Sequence, residues 1–91
     1  MDYQAAARAK TAQHQTAVSA SQLSAVLLRT ARALETTAAM AEEHGRRRER
    51  SGDADEAGKK YAAAARANGA AERAREHARQ LDELESSRGS G

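Results

Sequence analysis

The chain has no cysteine, proline, phenylalanine, tryptophan or isoleucine, and each absence removes something. Without cysteine there is no disulfide, no thiolate nucleophile and no zinc ribbon, and the redox compartment is left open. Without proline, no residue stops a helix by lacking its N–H. Two tyrosines are the whole aromatic content, so the stacking platforms that hold single-stranded nucleic acid are missing. The first residues, Met1-Asp2-Tyr3-Gln4, are not a basic flank followed by an apolar core, and no signal peptide is expected. Residues 11–28 carry no charge, yet half of them are Ser, Thr, Gln or His. That stretch is too polar to span a bilayer, and a cytoplasmic protein without membrane contact is expected.

Large apolar side chains are also scarce. Val18, Leu23, Val26, Leu27, Leu28, Leu34, Met40, Leu81 and Leu84 are nearly all of them, and alanine supplies most of the rest of the 40% hydrophobic content. Ninety-one residues make one small domain whose core is marginal on size alone. Alanine lowers the cost of forming helix because it has the highest propensity and loses no rotamers. It also leaves little to bury, so self-association is the expected way to complete the core.

What is present organises around Gly45 to Glu56. Arg46, Arg47, Arg48 and Arg50 suit the C-terminal turn of a helix, and Gly52 suits the left-handed position just beyond it. Asp53 is placed to cap a second helix, with Glu56 three residues on as its partner in a capping box. The expected fold is all-α: a long antiparallel two-helix hairpin that dimerises into a four-helix, coiled-coil-like bundle. Residues 1–86 form the hairpin, with helix 1 at about 3–50, a turn at 51–53 and helix 2 at about 54–86. Residues 87–91, rich in Gly and Ser, form a flexible tail.

On the first arm Leu23, Val26, Leu27, Thr30, Leu34, Thr37 and Ala41 recur at helical spacing, flanked by Ala33 and Met40. On the second, Ala57, Tyr61, Ala64, Ala67, Ala71, Ala74, Ala78 and Leu81 share one side. A leucine stripe facing an alanine stripe packs closely. Folding the chain about residues 50–52 sets Leu81 near Ala20 to Leu23 and Tyr61 near Met40 and Ala41. Asn68-Gly69 can punctuate a helix, but its alanine flanks favour continuation. Asn68, Thr30 and Thr37 either fix the register between helices or are tolerated at a loosely packed position. Residues 1–15 overhang the second arm. Tyr3 and the alanines from Ala5 to Ala12 are expected to join the oligomer interface.

The outline resembles the secreted WXG100 hairpins in size and two-arm layout. The Trp-x-Gly that defines their turn is replaced here by Arg50-Ser51-Gly52-Asp53, so no family is assigned.

No catalytic arrangement is visible. Glu43-His44 and Glu76-His77 lack the spacing that sets metal ligands on one helical face, His14 stands apart, and no Gly-rich phosphate loop occurs. No enzyme activity, cofactor or metal is expected. Acidic and basic residues cancel over residues 1–45 and again over 61–91, so the net charge of +2 arises between them. The arginines there read first as a solvated helix end and second as a contact for an anionic partner. The leading expectation is a non-enzymatic assembly protein, a homodimer with a protein partner. Its interface is drawn from Leu23, Val26, Leu27, Leu28, Leu34, Met40, Tyr61, Ala64, Ala71, Ala78 and Leu81. The alternative is a small nucleic-acid-associated regulator using Arg46, Arg47, Arg48 and Arg50.

Overall fold

The computed structural model describes the backbone of residues 2–89 and the side chains of residues 19–88. It is an all-α hairpin of two helices, α1 (Asp2–Arg50) and α2 (Ala54–Gly89). They lie side by side in a rod of 75 × 20 × 13 Å. α2 passes through Gly58 and Asn68-Gly69 without interruption. Among the described residues no helix is long and apolar enough to cross a membrane.

The turn forms because its residues satisfy both helix ends. Gly52 adopts φ +83°, a left-handed conformation that costs glycine nothing. With the chain reversed there, the Gly52 amide donates to the Glu49 carbonyl at 3.0 Å and the Asp53 amide to the Arg48 carbonyl at 2.8 Å. The Ser51 amide reaches the Arg47 carbonyl at 3.1 Å. Asp53 then caps α2: its Oδ1 accepts from the Glu56 amide at 3.2 Å, and its carbonyl accepts the first helical bond from Ala57. The reciprocal half of the capping box is absent, because the Asp53 amide is already used by Arg48 and the Glu56 carboxylate holds Lys59.

The contact between the helices is made by small residues on both sides. On α1 the buried positions are Ser24, Ala31, Ala38 and Gly45; on α2 they are Ala57, Ala64, Ala71 and Ala78, joined by Ala74. Both sets recur every seventh residue, the period of a coiled-coil seam. On α2 this is the expected alanine stripe. On α1 it is not the leucine stripe, and the expected pairing of leucine against alanine is corrected here. Backbones approach most closely where neither helix carries more than a methyl or hydroxymethyl group, and that approach displaces the larger side chains to the flanks. Leu27 and Leu34 pack beside the cluster of Ala31, Ala71 and Ala74, partly buried. Thr30 and Thr37 are exposed. The Thr37 hydroxyl donates to the Ala33 carbonyl of its own helix at 3.0 Å, so it sets no register.

The register is also displaced by about one helical turn at the closed end, where Tyr61 meets Gly45 rather than Met40 and Ala41. A Cβ added at Gly45 would lie 2.8 Å from the Tyr61 ring. Glycine is what lets the ring lie on α1. At the open end Ser24 pairs with Asp82, seven residues before the last of α2, which places Gly89 opposite Ala17. The part of α1 before Ala17 therefore runs beyond the end of α2 as helix. The expected role of Tyr3 and Ala5 to Ala12 in an interface lies outside the residues whose side chains are described.

Candidate functional site

Polar contacts at three places along the seam tie the helices together among the described residues. The Ser24 hydroxyl donates to Asp82 Oδ1 at 3.1 Å near the open end. Arg75 binds the Glu35 carboxylate at mid-length. The Tyr61 hydroxyl donates to Glu49 at 3.0 Å beside the turn. Partial burial raises the Tyr61 phenol above its ordinary range, and the hydrogen bond and negative charge of Glu49 raise it further. The other ion pairs among the described residues lie within single helices: Glu43 with Arg46 at 2.9 Å, Glu56 with Lys59 at 3.1 Å, and Glu76 with Arg79. The hydrogen bond and charge of Arg46 lower the Glu43 carboxyl and are matched by a raised Arg46. Both partners are half exposed, so this pair adds little to stability.

Because the seam consumes alanine, the large apolar residues are left outside it. Among the described residues no large side chain is fully buried. Leu23, Val26, Met40 and Leu84 retain 50%, 44%, 59% and 58% of their exposure. Leu27, Leu28, Leu34, Tyr61 and Leu81 are half-buried. Ala64, Ala71 and Ala78, by contrast, are used up inside the hairpin. Leu23, Leu27, Leu81 and Leu84 come together with His77 and Gln80 to line an apolar groove at the open end. Leu28 lies in a second groove, among Glu72, Arg73, Arg75, Glu76 and Arg79. The two neighbours Leu27 and Leu28 thus serve different grooves, as their 100° separation requires.

The other surface is at the turn. His44, Arg47, Arg48, Ser51 and Lys60 line one cleft there. Of the arginines singled out from the sequence, Arg46 is committed to Glu43, Arg47 and Arg48 enter this cleft, and Arg50 is exposed outside it. Lys60 comes from α2 and sequence reading passed it over. Only the register between the helices brings it to Arg47 and Arg48. Leu84 was likewise left out of the expected interface, although it stands seven residues after His77 on the same face. His44 and His77 belong to different surfaces at opposite ends. Among the described residues no group of three or more His, Cys, Asp or Glu is arranged to hold a metal ion.

No protein-family model, characterised protein or solved structure compared with this chain matches it.

Proposed function

We propose that the hairpin is a non-catalytic helical interaction module that pairs with a second copy of itself, forming a four-helix bundle able to receive a protein partner. The observation that carries this reading is the distribution of side-chain size. The hairpin's own contact is made by alanine, serine and glycine, while four leucines cluster in the open-end groove, where Leu23 and Leu84 are at least half exposed and Leu27 and Leu81 only partly buried. A buried leucine contributes about 1.5–3 kcal/mol relative to an exposed one, against about 0.8 kcal/mol for a single methyl-sized group. Most of the apolar free energy available to this sequence is therefore still unused in one chain. Covering the groove with the same groove of a second copy would use it.

Sedimentation of the wild type at micromolar concentration should give twice the chain mass. Leu23→Ser and Leu84→Ser remove exposed side chains that the seam does not use, so each should yield a helical monomer. Dimers of unchanged affinity in both variants, or a monomeric wild type, would overturn the reading.

A further inference from the structure

The cleft at the turn is a second, independent feature, and its charge is not that of an ordinary solvated helix end. Arg47, Arg48 and Lys60 all line it, and none forms a salt bridge among the described residues, although Arg47 lies near enough to Glu43 to act on it by charge. Four of the carboxylates near the turn are held elsewhere, and the other two, Glu42 and Asp55, do not line the cleft. Glu43 binds Arg46, Glu49 is drawn to the Tyr61 hydroxyl, Asp53 caps α2, and Glu56 binds Lys59. No acidic side chain lines the cleft.

The negative end of the α1 dipole points at the turn and would oppose an anion. Three of its last four carbonyls, however, are occupied: Arg47, Arg48 and Glu49 accept from the amides of Ser51, Asp53 and Gly52. The Ser51 hydroxyl is spent on the Arg48 carbonyl as well, at 3.1 Å. The residues that line the cleft carry two guanidinium forks, an ammonium and the imidazole of His44, which has at least one N–H in either charge state. Two arginines with a lysine match the oxygens of a compact dianion, since guanidinium binds phosphate in a bidentate fashion and lysine adds a point charge. The cleft of about 400 Å³ is within the size range of small-molecule sites.

We propose that this cleft is a phosphate site, binding inorganic phosphate or the phosphomonoester of a small molecule through Arg47, Arg48 and Lys60, with His44 as an additional donor. Each of these residues adds a charge-assisted hydrogen bond to the same group. The site lies at the closed end of the rod and shares no residue with the leucine groove, so it stands or falls separately from self-association.

The test is a titration of the full-length protein with inorganic phosphate, followed by backbone amide NMR, against sodium chloride at matched ionic strength. A phosphomonoester such as glycerol phosphate forms the second arm. The expected result is a saturable response confined to residues 44–51 and the surroundings of Lys60, which chloride does not produce. A stronger response to glycerol phosphate than to inorganic phosphate identifies the ester as the preferred source, and the reverse identifies the free ion. Arg47→Gln and Lys60→Gln should each weaken binding by about tenfold or more, with helical circular dichroism unchanged. Arg88→Gln, at the far end of α2, should leave binding as it was. A linear response equal to that of chloride would overturn the proposal, as would equal binding by the Arg47 and Lys60 variants. Binding of duplex DNA with no saturable phosphate response would also overturn it, in favour of a surface that follows a nucleic-acid backbone.

Discussion

At the scale of single residues, Tyr61 shows how one side chain organises the closed end. Its ring covers Gly45 and its hydroxyl engages Glu49, which removes a carboxylate from among the turn arginines. Partial burial first, and Glu49 second, favour the neutral phenol. The folded-state pKa is raised, so the stabilisation linked to it is fully present below the ordinary phenol value of about 10. It is lost as pH rises through Tyr61's higher value. Absorbance titration in a Tyr3→Phe background should therefore place the Tyr61 midpoint above about 10. Glu49→Gln should move it downward, by removing the charge while keeping an acceptor. An unchanged midpoint in that variant would show that the Glu49 contact does not form.

At the scale of the elements, the two helices were unequally legible in the sequence. The turn was readable because Gly52 and Asp53 each have a local reason to stand where they do, and both perform the expected role. The α2 seam was readable because alanine dominates that arm, so nothing larger competed for the inner face. On α1 the leucines supplied the obvious period and concealed the true seam of Ser24, Ala31, Ala38 and Gly45, two of whose members do not count as apolar. Seven-residue spacing of small residues on both arms was the available signal. Lys60 in the turn cleft depended on register, which no local pattern encodes.

The glycines within the helices give this account a direct check. Gly58 is exposed with nothing within 4 Å of an added Cβ, so Gly58→Ala should stabilise the protein by about 1 kcal/mol through helix propensity. Gly45 has the same propensity to gain, but its added methyl meets the Tyr61 ring, and overpacking costs about 1–3 kcal/mol. Thermal unfolding should show Gly45→Ala neutral or destabilised, and Gly45→Ala with Tyr61→Ala less impaired than the sum of the two single variants. Equal stabilisation by both alanines would mean that the ring does not rest on Gly45.

At the scale of the molecule, the rod is closed by alanine and left open by leucine. It combines a narrow seam, an apolar groove at one end and a cationic cleft at the other. α1, with 49 residues against 36 in α2, extends past the groove end. The central claim is that one hairpin does not use its apolar surface and two do. Thermal unfolding measured at chain concentrations about a hundredfold apart tests it most directly, because a species stabilised by association melts at a temperature that depends on concentration. The account predicts a Tm that rises with concentration in the wild type and becomes independent of it in Leu23→Ser. A wild-type Tm that is the same at both concentrations, with a single cooperative transition, would contradict it.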